Sequence, residues 1–321
     1  MLLQFDRVNL NSFSHPARHS RSKFVRIACC EAAKAFPAKL NDVQPHFRLL
    51  FLLAWAIPAA GQPASGVDQD LTPAQGQALV ETALANELRA AQDASHLMRY
   101  RLRKTSPRLT TTKEICESRD GDVARLISTN DGPLSAADKQ KEVARLQELL
   151  GDPGRQRRRK QAEDTDAGRA MKVLRALPTA FDYQYAGTAE SADGKVEKFT
   201  FRPRPNFSPP DLETQVLTSM AGEIWIDPAH QRVLRLEGHV LQDVDFGWGI
   251  LGRLNHGGWI VIEQADVSEG QWRIVHFQMA MSGRVFFKSR IFDTMEEETH
   301  FEPVPAGLDY RTAIQSLLAG P

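Results

Sequence analysis

Gly222-Glu-Ile-Trp-Ile-Asp-Pro-Ala-His-Gln-Arg-Val-Leu-Arg-Leu-Glu-Gly238 decides the fold, because two β-rich segments flank a turn at Asp227-Pro228. Ile224 and Ile226 recur at period two on the first arm, as do Leu234 and Leu236 on the second, so each pair shares one side of a strand. Aspartate accepts bonds from following amides and proline presets φ, which makes the turn a local necessity. The same alternation continues outward from Leu212 to Pro303. It predicts strands near 214–226, 232–246, 258–267, 271–282 and 284–300.

Upstream, Thr72-Pro73-Ala74-Gln75 supplies an N-cap, a proline at the first helical position and a capping-box glutamine. Val80, Ala83, Leu84, Leu88 and Ala91 carry that helix to about Gln92. Met98, Tyr100 and Leu102 then alternate with arginines, and segments 109–117 and 122–128 pair around Arg119-Asp120-Gly121. Ser135 caps a helix stopped by Gly151-Asp152-Pro153, and a second helix spans about Arg155 to Leu177, where Pro178 ends it. Phe181, Tyr183, Tyr185, Phe199 and Phe201 return to period two across Asp193-Gly194. Segment 202–210 holds four prolines and reads as a loop, and Tyr310–Leu318 reads as a short amphipathic helix. About ten strands in chain order, with few helices, indicate an α+β fold built on one antiparallel sheet wrapped around helices.

Leu49-Leu-Phe-Leu-Leu-Ala-Trp-Ala-Ile57, preceded by Arg48 and followed by Pro58-Ala-Ala-Gly61, has the layout of a secretory signal. Nine apolar residues are too few to span a bilayer, which takes about 20. Residues 1–61 are therefore read as a leader with h-region 49–57, cleaved after Gly61, and 62–70 as a flexible tether. The basic stretch before the h-region points to a translation start near Val43. A buried helix over 49–57 in a cytosolic protein is the competing reading. The whole chain has 321 residues and 40 residues of each charge sign. Losing the leader removes 8 basic and 3 acidic residues, so the mature chain carries five more acids than bases, which argues against a general nucleic-acid partner. Cys29 and Cys30 leave with the leader, and Cys116, alone, reads as a quiet buried thiol.

Ile224, Ile226, Leu234, Leu236, Val244, Phe246, Ile260, Ile262, Val275, Phe277, Met279, Met281, Phe287 and Ile291 fall on one face by alternation, an apolar wall. The helices available to cover it have modest, alanine-rich stripes. Either they fill the wall, or part of it faces a cavity that binds a ligand. Trp225, Trp259 and Trp272 fall on the opposite side and are candidate partner contacts, or aromatics buried under the insertion helices.

Motifs for reaction chemistry fail on context. Gly247-Trp-Gly-Ile-Leu-Gly252 spells a dinucleotide fingerprint, but a strand follows it where a phosphate needs a helix N-terminus. His239, Asp243 and Asp245 share a strand face, yet the rise of about 3.3 Å per residue spreads them too far for one metal ion. Arg155-Gln-Arg-Arg-Arg-Lys160 is balanced by Glu163, Asp164 and Asp166 and reads as a solvated helix start. Glu296, Glu297 and Glu298 read as charges guarding a strand edge. No catalytic residue, metal ligand or cofactor is assigned, and a hydrolase with an unrecognised site near His256 stands as a third reading.

Taken together, the early helix, the meander and Gly222-x-Ile-Trp-Ile-Asp-Pro followed by Arg232-Val-Leu-Arg-Leu-Glu-Gly238 resemble the outer-membrane lipoprotein carrier superfamily. The resemblance runs from Met220 to Glu302, is weaker over 97–201 and does not extend before Leu71. It implies a half-open β-barrel over 71–321 with a helical insertion at 135–177. It also implies a periplasmic or otherwise exported protein that holds a lipid acyl chain or lipidated polypeptide without bond chemistry, each buried methylene contributing about 0.8 kcal/mol. The same architecture serves envelope stress sensors. An envelope protein is thus the alternative partner, and peripheral membrane contact is the further expectation.

Overall fold

The computed structural model describes residues 71–191, 194–247 and 249–320. The leader, its h-region and the tether expected over 1–70 lie outside the described residues. Helix α1 (Pro73–Gln92) begins with the expected capping box, Thr72 and Gln75 each accepting from the other's backbone. Strands β1 (Met98–Thr105), β2 (Thr110–Cys116), β3 (Val123–Thr129) and the two-residue β4 (Gly132–Pro133) follow. Next come α2 (Ala136–Gly151), α3 (Pro153–Ala180), β5 (Phe181–Ser191), β6 (Gly194–Pro203) and a 3-10 helix at Glu213–Ser219. The remainder is β7 (Met220–Asp227), β8 (Arg232–Val240), β9 (Val244–Phe246), β10 (Gly252–Leu254), β11 (Trp259–Asp266), β12 (Trp272–Val285), β13 (Lys288–Pro303) and α4 (Tyr310–Ala319).

These strands form one antiparallel sheet in the order β4-β3-β2-β1-β13-β12-β11-β8-β7-β6-β5, with β10 joining β12 to β9. The sheet is curved and not closed, so the class is α+β with an open half-barrel. Two local effects and the strand order account for three departures from the sequence reading. Segment 213–219 coils instead of extending, because the Asp211 carboxylate accepts from the Thr214 amide (3.1 Å) and hydroxyl (2.9 Å) and starts a turn there. Pro178 lies inside α3, two residues before its end, where a missing amide costs only a terminal bond. Strand β13 is interior, between β1 and β12, so Glu296–Glu298 do not guard an edge.

Cross-strand register shows how one set of strands carries two opposite surfaces. On one side the row runs Tyr185, Phe199, Ile224, Leu236, Ile262, Phe277, Glu296, each residue directly opposite the next. One position along each strand, the other side reads Lys198, Trp225, Arg235, Glu263, His276, Glu297, Arg103. The first row is the core and the second is a charged ladder, as period two requires. Helix α1 lies on β5, β7 and β8, and α3 lies on α1, β5 and the 3-10 helix. Val80, Ala83 and Leu84 of α1, with Leu174, Leu177 and Ala180 of α3, join the apolar row in one core. A separate core, around Cys116, Val123, Leu146, Leu149 and Ile314, is closed by α2 and α4 over β2 and β3.

The basic start of α3 is less solvated than its composition suggests. Gln156 and Glu163 are buried, the first donating to the Asp120 carbonyl (3.0 Å) and the second accepting from the Asp122 amide (3.1 Å). Gly121, at φ 104°, sits where a Cβ would lie 2.8 Å from the Glu163 carboxylate, so only glycine lets the turn approach the helix. Arg159 also reaches the Asp122 carbonyl, and burial pushes its guanidinium below the ordinary range.

Candidate functional site

The apolar wall is real, but two bulges change its membership. Between β7 and β8 the register slips after Trp225, so Ile226 faces Val233 and Leu234 is the extra residue. Val233 takes the wall position, and Leu234 turns to the opposite face with Val196 and Trp272. Between β11 and β12 the slip falls after Glu263, which makes Val275 the extra residue and puts Ile274 on the wall instead. The buried Gln264 side chain donates to the Val233 carbonyl (2.9 Å) across this zone and satisfies a ladder acceptor. Each bulge adds one residue and reverses the alternation beyond it.

Ile224, Ile226, Ile260, Ile262, Phe277 and Met279 lie together on the wall and are buried. Leu236 and Met281 pack against this core but remain half-exposed. Phe246 lies on the same side farther out, half-buried on β9 opposite Gly252. Phe287 is not on the wall: it is 96% exposed in the β12–β13 turn. Ile291 pairs with Ser282 and faces away from its neighbour Phe292, which pairs with Met281. Leu254 and Phe292, which the alternation reading left out, join Met281 as half-buried wall residues packed on the core. Phe292 lies two residues beyond Arg290 and four beyond Lys288, so β13 presents these cations on the wall's side at its outer end.

The wall thus has a sealed part and a bare part. Helices α1 and α3 close it over β5–β8, and a clamp holds α1 there. Buried Glu87 accepts from Arg232 through Nε (2.8 Å) and Nη2 (3.0 Å) and from the Val233 amide (3.0 Å). The bare part is the strip Phe246, Leu254, Met281 and Phe292 at the β9–β10 and β12–β13 end. A second opening, an open cleft of about 620 Å³ between the end of α3 and the loop after β6, mixes charged side chains with Ala176, Phe207 and Pro210. Of its cations Lys172, Arg175 and Arg204, the first is held by Glu213 (3.1 Å) and the last by Asp182 (2.8 Å).

On the charged face, Trp225 packs with Leu234, Trp272 and Val196. Lys198 Nζ lies 4.9 Å and Arg235 Cζ 5.6 Å from the Trp225 ring centre, and Arg232 Cζ 5.4 Å from that of Trp272. Cation–π contacts of this kind cover the rings without a partner. Trp259 is half-buried opposite His239 and Ala280.

Polar clusters resolve into structural pairs. His239 meets Glu237 (3.2 Å), while Asp243 and Asp245 bind Arg253 and His256. Among the described residues no group of three metal-binding side chains converges. His256 is exposed and bonds through Nδ1 to Asp243 (2.8 Å). Asp93, Ser95 and His96 assemble the residue types of a hydrolytic triad, but serine and aspartate both meet the same ring nitrogen, at 2.9 Å each. A relay needs the two ring nitrogens separately, so this is a surface turn. Its Asp93 is lowered to about 2, mainly by the Ser95 hydroxyl bond. Cys116 is fully buried, and burial raises its thiol to about 11, so the thiolate nucleophile is scarce at neutral pH. Glu296 is buried beside Phe277 and paired with Lys104 (2.8 Å).

Searched against protein-family models and against curated proteins, the sequence matches none. Solved structures show likeness at low identity. A Vibrio parahaemolyticus domain named for outer membrane lipoprotein sorting is 13% identical, with a TM-score of 0.29 over 74% of this chain and 99% of its own. A DUF1329 family protein from Desulfovibrio piger is 10% identical, with a TM-score of 0.28 over 73% of this chain and 94% of its own. MucB in complex with MucA(peri) gives 12% identity and a TM-score of 0.21, over 68% and 97%. The open, curved antiparallel sheet with its helices is the α+β architecture that the strand pattern indicates. Among the described residues no helix is long and apolar enough to cross a membrane.

Proposed function

We propose that this chain is an exported binding protein that holds an acyl chain, of a lipid or a lipidated polypeptide, along the bare strip of the wall. One observation carries the reading: Leu254, Met281 and Phe292 pack on the core yet stay half-exposed as a group at one end, while Ile224, Ile226, Ile260, Ile262, Phe277 and Met279 at the wall's centre are buried by the protein's own side chains. The strip leaves the wall centre undisturbed, so binding is shallow and reversible. Each methylene laid on it contributes up to about 0.8 kcal/mol. Lys288 and Arg290, on the same side, stand where an anionic headgroup would emerge.

Native mass spectrometry of gently purified protein tests this. Bound acyl species, lost on Met281→Asp with the fold intact by circular dichroism, support it. A reproducibly empty protein that also fails to take up a fluorescent fatty acid overturns it and favours an interaction or stress-sensor module. Export has its own test in N-terminal sequencing of the mature protein, expected to begin at Gln62; an intact leader refutes it.

A further inference from the structure

The two loops at the bare end lie side by side and expose apolar side chains. One joins β9 to β10, with Ile250 70% and Leu251 36% exposed; the other is the two-residue turn Phe286-Phe287 between β12 and β13, 43% and 96% exposed. Pairing of Gly252 with Val285 joins them, as does a bond from the Phe286 amide to the Leu251 carbonyl (3.1 Å). Two-residue hairpin turns favour Gly, Asn or Asp because their backbone needs positive φ. Here Phe286 adopts φ 51°. Phe286 strains the backbone while only partly covered, and Phe287 leaves its ring almost wholly in water, which directs attention to an external contact.

Charge selects the partner. From Ser282 to Phe292 the hairpin end carries Arg284, Lys288 and Arg290 and no acid. Among the described residues none of the three forms a salt bridge; Arg284 donates to the Gly249 carbonyl (3.3 Å) and is near enough to Asp245 for their charges to attract. The acids on neighbouring β9, Asp245 and nearby Asp243, are held by Arg253. Aromatic and aliphatic side chains at a tip, flanked by Lys288 and Arg290 outside any salt bridge, match the boundary of an anionic bilayer. Rings enter between headgroups while lysine and arginine meet lipid phosphates.

We infer that the paired loops Ile250-Leu251 and Phe286-Phe287 are the tip by which the protein docks on an anionic lipid bilayer, with Lys288 and Arg290 on the headgroups. Docking does not require acyl-chain carriage. A tip that binds vesicles on an otherwise empty protein, or carriage without docking, would separate the two readings.

The experiment uses the full chain with vesicles of phosphatidylglycerol and phosphatidylethanolamine, against vesicles of phosphatidylcholine. Wild type is expected to prefer the anionic vesicles and to release as salt rises. Phe286→Gly with Phe287→Asn installs ordinary turn residues, so the fold is kept with an equal or higher melting midpoint. Affinity for anionic vesicles should nevertheless fall at least about tenfold. Lys288→Gln and Arg290→Gln should each weaken it about fivefold. A polarity-sensitive dye on Phe287→Cys, with Cys29→Ser and Cys30→Ser, reads the tip itself and should shift to the blue on anionic vesicles. Unchanged dye emission, or equal binding by the turn variant, overturns the inference. So does tip-dependent self-association in sedimentation velocity without vesicle binding.

Discussion

Ile224 on β7 and Met281 on β12 belong to the same face of the same sheet, yet Ile224 is wholly buried and Met281 half-exposed. The difference lies in what covers them. Helices α1 and α3 lie over β5, β7 and β8, and the strip at the far ends of β12 and β13 has no comparable cover. An apolar position on a strand therefore states only that water is unwelcome on that side. Whether the excluding surface is the chain's own helix or something external is settled by distant segments, and here the two ends of one wall receive different answers.

The sharpest way to break the comparison is to release the cover at the sealed end. Glu87→Ala would leave the Arg232 guanidinium and the buried Val233 amide without their shared acceptor. Removing one partner of a buried ion pair costs about 3–5 kcal/mol. Chemical denaturation should show that loss. A variant that unfolds at the wild-type midpoint would mean that α1 is held by packing alone, and that the polar clamp contributes little to the difference between the ends.

Paired truncations sharpen the contrast. Ile224→Ala should cost about 2–5 kcal/mol, as a fully buried large-to-small change does. Met281→Ala should cost about 1 kcal/mol, while weakening uptake of a fluorescent fatty acid. Equal stability losses at both positions would show that the strip is as closed as the rest of the wall. Unequal stability with unchanged uptake would leave the strip bare but idle.

Much of this arrangement is legible in the sequence, and the illegible part has identifiable causes. Thr72 to Gln75 and Ser135 announce helix starts through side-chain chemistry that acts within four residues, whereas Asp152, which reads as part of a helix stop, also caps α3. The alternation from Ile224 to Met281 likewise announces a one-sided sheet. Leu234 and Val275 were misplaced because a bulge inserts a residue without any composition of its own, and period two fails silently beyond it. Glu296 looked like an edge charge because its partner, Lys104, lies 192 residues away. Phe287 looked like a wall residue because apolar character is the same whether a ring faces a core or stands at a turn; only the register Val285 opposite Lys288 reveals the turn. The bare strip was unreadable for the same reason, since its exposure depends on where α1 and α3 stop.

A pH-dependent effect concerns the β7–β8 turn, which the sealed end uses as an anchor: Asn86 of α1 donates to the Gln231 carbonyl there (2.8 Å). Burial of Asp227 opposes its charge. Bonds from the His230 ring (2.6 Å) and from the amides of Ala229 (2.7 Å) and His230 (3.1 Å) outweigh that opposition and hold the carboxyl below its usual range. A carboxylate lowered on folding adds stability that is present above its unfolded pKa and is lost as pH falls through the folded value. Asp227→Asn should therefore cost about 1.5 kcal/mol at neutral pH, and its melting midpoint should converge on wild type as both are acidified below pH about 4. A gap that persists unchanged into acid would mean that the turn depends on the shape of the side chain and not on its charge. The anchor for α1 would then be geometric, and the sealed end would keep its cover at any pH.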